Sequence, residues 1–141
     1  MYFSKLYNNM NQEQTKQLIE LVDKYCESYG ITRKDLFVTS GGKKRKVIGP
    51  VSLSTMRMAL GHYIYHNYPV TLTQIARLIG YNDHSVISYH YTKIKNYIKN
   101  NDIVFMSYYN NLLEVAKEYP PHIKIQRVPY KNFIVLPKTN V

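Results

Sequence analysis

The chain is expected to fold as an all-α domain, compact and helical, and three observations lead there. Apolar residues recur at helical spacing in one segment after another. Most of those segments open on a polar capping residue and close on glycine, asparagine or proline. Residues 72–94 write two helices around a tight turn.

Asn11 with Gln14 has the spacing of a cap, and Leu18, Leu21, Val22, Tyr25 and Tyr29 follow on one helical side until Gly30 stops them. Thr32 and Asp35 open a short helix. Gly41 and Gly42 begin a flexible basic loop that ends near Gly49 and Pro50. A long helix is predicted over 52–66, with Met56, Leu60, Tyr63 and Ile64 as its core stripe, and residues 67–69 break it. Beyond the two helices of 72–94, Asp102 caps a further helix carrying Val104, Tyr108, Leu112, Val115, Ala116 and Tyr119, ended by Pro120 and Pro121. The tail alternates Ile123, Ile125 and Arg127 and then runs through Phe133, Ile134, Val135 and Leu136, which reads as extended. Residues 1–100 form the main domain; residues 101–141 add a helix and an extended basic tail packed on it.

The first helix of the central pair starts at Thr71, with Gln74 three residues on, a capping box in which each side chain satisfies the other's orphan backbone donor. Leu72, Ile75, Leu78 and Ile79 give it one apolar face, and Gly80 supplies the positive φ that ends it. The chain restarts at Asp83, whose carboxylate suits a helix N-terminus. In the second helix Ile87, Tyr91, Ile94 and Ile98 are assigned to the core, which turns His84, Ser85, Ser88, Tyr89 and Lys93 outward. A helix-turn-helix lays the first turn of its second helix against base edges in the major groove. His84 and Ser85 exchange hydrogen bonds with such edges, and the methyls of Val86 suit a thymine methyl.

These residues resemble the C-terminal DNA-binding domain (domain IV) of DnaA, the bacterial chromosomal replication initiator. Leu72, Ile75, Gly80, Asp83, His84, Ser85, Ile87, Lys93 and Ile94 fall on that family's pattern. Upstream, Tyr29, Gly30, Ile31, Asp35 and Leu36, then the basic Lys43, Lys44, Arg45 and Lys46, then residues 56–60 extend the likeness over roughly residues 20 to 100. The resemblance implies a Trp-repressor-like helical fold with a helix-turn-helix. It places Asp83, His84 and Ser85 on the base-reading turn, beside Asn82 and Val86, and Lys43, Lys44, Arg45 and Lys46 on a loop that grips the backbone. Arg57, Thr71, Ser88, Tyr89 and Lys93 are the other expected backbone contacts. Departures are visible. Asn82 stands where the family has arginine, Val86 where it has a second hydroxyl, Tyr81 where it often has glycine and Ser54 where its long helix starts with arginine. A different preferred DNA site is therefore expected.

Charge supports the same reading. The formal net charge is +10, and residues 33–100 hold eleven basic and two acidic side chains, whereas residues 1–32 hold three and four. A solvated face mixes signs; a one-signed module suits phosphate contact and counterion release. A membrane surface is the rival use of basic charge, but the sequence has no long apolar segment and no signal peptide. No phosphate-binding glycine loop is present, so no nucleotide is expected, and no cofactor. His62 and His66 have the spacing of two metal ligands without a third, so no metal is expected. Cys26 is alone, which fits a buried thiol in a reducing compartment.

The expectation is a sequence-specific, cytoplasmic, non-enzymatic duplex-DNA-binding protein of replication initiation or its control, bacterial or phage-encoded, with residues 102–141 open to a homodimer or protein partner. The alternatives are a dimeric transcriptional regulator using the same module and a structural or adaptor protein that has lost DNA reading.

Overall fold

A computed structural model describes residues 12–37, 39–40, 43–44, 47–81, 85–128 and 131–137, with the backbone alone at 39–40, 43–44, 85–89 and 131–132. Its elements are mostly helical, joined by small two-stranded antiparallel sheets. Helix α1 (Gln12–Glu27) buries Leu18, Leu21, Val22, Tyr25 and Cys26, a stripe at three- and four-residue steps. Gly30, at φ 72°, turns the chain back so that Ile31 N–H reaches the Cys26 carbonyl at 3.2 Å. Asn11, the expected cap of α1, lies outside the described residues.

A 3₁₀ turn (Arg33–Leu36) follows, in which Thr32 N–H donates to Asp35 Oδ2 at 2.8 Å and Leu36 is fully buried. The segment read as a flexible loop contains two short hairpins: β1 (Thr39–Ser40) pairs with β2 (Lys43–Lys44), and β3 (Val47–Ile48) with β4 (Val51–Ser52). Gly49 and Pro50 close the second hairpin rather than end a loop.

Helix α2 (Leu53–Asn67) is the centre of the fold. Ser52 caps it, its Oγ accepting from Thr55 N at 3.2 Å. The expected stripe of Met56, Leu60, Tyr63 and Ile64 is buried, but so are Leu53, Arg57, Met58, Ala59 and Gly61, because neighbours surround the helix. Packed around it are α3 (Leu72–Ile79), α4 (Ser85–Lys99), α5 (Ile103–Ala116) and strand β5 (Ile125–Val128).

Helices α4 and α5 meet at Asn101, whose φ of 51° is a left-handed conformation that asparagine tolerates. Asp102 Oδ1 then caps α5 by accepting from Phe105 N at 2.9 Å. Val104, expected inside, is 59% exposed; Phe105 takes its place in the core with Leu112 and Ala116. Tyr108 ties three elements together, since its carbonyl accepts from Tyr25 Oη and its own hydroxyl accepts from Ser52 N–H, both at 2.9 Å.

The tail forms a hairpin of β5 with β6 (Lys131–Val135), in register Ile125↔Val135 and Val128↔Lys131 with an irregularity between Gln126 and Val128. Arg127 fixes it to the end of α2. Its guanidinium donates to the carbonyls of Tyr65, of Tyr68 (3.2 Å) and of Val70 (2.7 Å) and lies 4.1 Å from the centre of the Tyr65 ring. Burial pulls its pKa down to about 10, which still leaves it charged at neutral pH.

Candidate nucleic-acid interface

Helix α3 begins as its sequence dictates. Thr71 N–H donates to Gln74 Oε1 at 2.8 Å, and Gln74 N–H returns the bond to Thr71 Oγ1 at 3.1 Å. Thr71, expected to touch a phosphate, is thus engaged as the N-cap. Ile75, Leu78 and Ile79 are buried and Leu72 is half-buried, while Arg77 is exposed. Gly80 ends the helix in the left-handed region, with φ 91° and ψ 18°.

At this turn three elements converge on one carbonyl. A Cβ on Gly80 would sit 2.4 Å from Leu36 O, so the glycine lets the end of α3 lie directly on the 3₁₀ turn. Arg57, from the middle of α2, donates to the same oxygen through Nε at 3.0 Å and Nη2 at 2.6 Å. This corrects its assignment as a phosphate contact: Arg57 is 3% exposed and holds the turn from inside. Tyr81 follows, its N–H bonded to Ala76 O at 2.8 Å and its ring 5.9 Å from the Arg57 guanidinium. Its hydroxyl is buried rather than at the surface, and burial pushes its pKa up to about 12.

Asn82, Asp83 and His84, three of the expected base-reading residues, lie outside the described residues, as do Arg45 and Lys46. Ser85 begins α4, and the backbone of Val86, Ile87, Ser88 and Tyr89 continues it. Lys43 and Lys44 form strand β2. Of the expected backbone contacts, Lys93 is exposed.

The inward stripe of α4 differs from the expected one. Ile94 is buried, but Tyr91 is 40% and Ile98 38% exposed. His90 and Tyr97 are half-buried instead, and with Ile94 they form an i, i+4, i+7 stripe. Tyr97 packs on Phe105, their ring centres 5.6 Å apart, which fixes the helix against α5.

Sequence reading passed over Arg77, Lys95 and Lys99, which the fold leaves exposed on the same two helices as Lys93. Their signal was the near absence of acid: residues 72–99 hold these four cations and Asp83 alone. None of the four forms a salt bridge with a described residue, whereas Lys16, Lys24, Arg33 and Lys117 each pair with a carboxylate.

His62 and His66 stack edge to face at 4.5 Å on α2. Burial, with His66 adding to it, pushes the His62 pKa down to about 4, so its ring is neutral. Among the described residues no group of three or more His, Cys, Asp or Glu is placed to hold a metal ion. No helix among them is long and apolar enough to cross a membrane. No protein-family model, curated protein or solved structure matches the chain.

Proposed function

We propose that the chain is a sequence-specific double-stranded DNA-binding protein in which α3 and α4 act as a helix-turn-helix, as the resemblance to the DnaA C-terminal domain suggests. The observation that carries this reading is the set of exposed cations, Arg77, Lys93, Lys95 and Lys99, which form no salt bridge with a described residue and lie on two helices separated by a left-handed glycine turn. The helix dipole and small polar residues at the start of α4 suit base edges, and the lysines suit the phosphates on either side. Asn82, Asp83, His84, Ser85 and Val86 are the proposed base readers. Lys43, Lys44, Arg45, Lys46, Ser88, Tyr89 and Lys93 are the proposed backbone contacts, with Arg77, Lys95 and Lys99 added and Arg57 withdrawn. The reading involves no catalytic step and assigns the protein to initiation of replication or its control in a bacterial cytoplasm, from a host or phage genome.

Selection of bound duplexes from a random library, followed by titration at several salt concentrations, tests it. A log-log slope of about −4 to −7 is expected if roughly five to eight phosphates are neutralised. Replacing His84 or Ser85 should cost about 1 to 3 kcal/mol on the selected site and little on random DNA. A slope near zero would refute the mechanism.

Exposure of Ile103 (85%) and of Val104 beside it favours, as a second reading, a transcriptional regulator that dimerises through α5. Paired half-sites about one helical turn apart in the selected sequences would mark that form.

A further inference from the structure

Strand β6 is the outer strand of the tail hairpin. Its partner β5 packs on α2 and buries Ile125, whereas Val135, directly opposite Ile125, is 56% exposed and Ile134 beside it 38%. Successive residues of a strand face opposite sides of the sheet, so both sides of β6 are open at its end. Among the described residues β6 pairs with β5 alone.

The register shows which backbone groups remain. Leu136 N–H donates to Lys124 O at 2.7 Å, and the pairs Ile125↔Val135 and Gln126↔Ile134 continue the same register. Antiparallel pairs alternate between those that exchange hydrogen bonds and those that do not. Leu136 and Ile134 therefore turn N–H and C=O toward β5, and Val135, with Phe133 two residues before it, turns them away. An outer strand with donors and acceptors aimed outward is a template for one more strand.

Charge selects the kind of strand. Residues 121–141 hold Lys124, Arg127, Lys131 and Lys138 and no acid. Arg127 is engaged with the carbonyls at the end of α2, and Lys124 is exposed just before β5, while Lys131 and Lys138 flank the apolar run of β6 in sequence. A second copy of β6 is a poor fit. Antiparallel pairing about Ile134 would set Lys131 opposite Pro137, which has no N–H to give, and next to the like charge of Lys138. An acidic strand meets the lysines with opposite charge, and its aliphatic side chains cover Ile134 and Val135.

We propose that the outer edge of β6 takes up an extended acidic segment of a partner protein, with aliphatic residues alternating with carboxylates, as a third strand of the hairpin. Three synthetic heptapeptides test it by calorimetry on the full chain with no DNA present: valine alternating with glutamate, valine alternating with lysine, and the glutamate peptide with all its peptide nitrogens methylated. The glutamate peptide should bind about tenfold or more tightly than the lysine peptide and lose affinity as salt is raised. The methylated peptide, which keeps the charge but has no donors, should not bind. Val135→Pro removes an outward N–H and leaves the bonds to β5 in place, so it should weaken the glutamate peptide about tenfold while the melting temperature is kept. Replacing Lys124 and Lys131 together by glutamate should turn the preference toward the lysine peptide. The proposal is overturned if the glutamate peptide does not bind at about 1 mM, if the lysine or the methylated peptide binds as well, or if a folded Val135→Pro variant binds unchanged. Self-association or duplex binding that Val135→Pro abolishes, without peptide binding, would give the edge to a second copy or to DNA and overturn it as well. Because no DNA enters the peptide titrations, their failure leaves the proposed function untouched.

Discussion

Substituting Gly80 by alanine tests the joint on which the α3–α4 turn rests. Alanine at a φ of 91° adopts the left-handed conformation at a cost of about 1–2 kcal/mol. The added Cβ would also stand 2.4 Å from Leu36 O and 3.0 Å from Leu36 C, and both are backbone atoms. Moving that carbonyl disturbs the two hydrogen bonds it accepts from the buried Arg57 guanidinium. A hydrogen bond to a charged group contributes about 1.5–3 kcal/mol, and the guanidinium has little access to water as a substitute. Gly80→Ala should therefore cost about 3–5 kcal/mol in all, a large part of the 5–15 kcal/mol typical of a domain. Gly30 provides the control: its φ is 72°, but an added Cβ meets nothing within 4 Å. Gly30→Ala should cost about 1–2 kcal/mol, the conformational part alone. Urea titrations followed by circular dichroism give both values if the slope against urea is unchanged. Equal losses within about 0.5 kcal/mol would show that α3 does not lie against the Leu36 carbonyl.

Arg127→Ala should destabilise by about 2–4 kcal/mol, since it removes charge-assisted bonds to three carbonyls and the stack on Tyr65, and Arg127→Lys should recover only part of that loss. A loss below about 0.5 kcal/mol in urea would mean that the hairpin does not hold the end of α2. Stability should also fall with acidification between the ordinary histidine value of 6.5 and about 4. His62 is depressed to about 4 in the fold, so the unfolded chain takes up the proton first and gains from it; His66 and His90 shift the same way. Melting temperatures from pH 6.5 down to about 5, above most carboxylate titration, should show a shallower dependence in His62→Phe than in the parent, and identical slopes would exclude His62 as the cause. Cys26 is fully buried and its thiol is pushed up to about 12, so a thiol reagent should label the native protein only as fast as it opens. Immediate stoichiometric labelling without denaturant would place Cys26 at the surface.

Features set by chemistry a few residues long were legible in the sequence. Thr71 with Gln74, Asp102 ahead of Phe105, and Gly30 and Gly80 after apolar runs are each a local exchange of backbone bonds or a local demand on φ. Features set by a distant partner were not. Residues 104, 108 and 112 and residues 105, 112 and 116 are both good helical stripes, and the surface that α5 packs against selects the second. In α4 Ile94 is buried as expected, but His90 and Tyr97, amphipathic residues that an apolar pattern does not count, turn inward in place of Tyr91 and Ile98. Most of the candidate site lies at the start of α4, where the expectations for Asn82, Asp83 and His84 fall outside the described residues.

Arg57 was read as a surface contact and is buried, and the reason bears on the electrostatics of the proposed interface. In a chain with 19 lysines and arginines against 9 acids, any single arginine looks like part of a solvated positive surface. Arg57 instead ties the 3₁₀ turn to α2 through the Leu36 carbonyl, and Arg127 ties the tail hairpin to the end of α2 through the carbonyls of Tyr65, Tyr68 and Val70. The guanidinium suits that work because it offers several donors in a fixed plane and is weakly hydrated, whereas an ammonium concentrates its charge on one strongly hydrated atom. Two of the formal positive charges are thus committed to backbone carbonyls, that of Arg57 in the interior and that of Arg127 at a partly buried site. The counterions displaced on DNA binding would come from the surface set, to which Lys93, Lys95, Lys99 and Arg77 belong, and the salt dependence should follow that set rather than the formal net charge of +10.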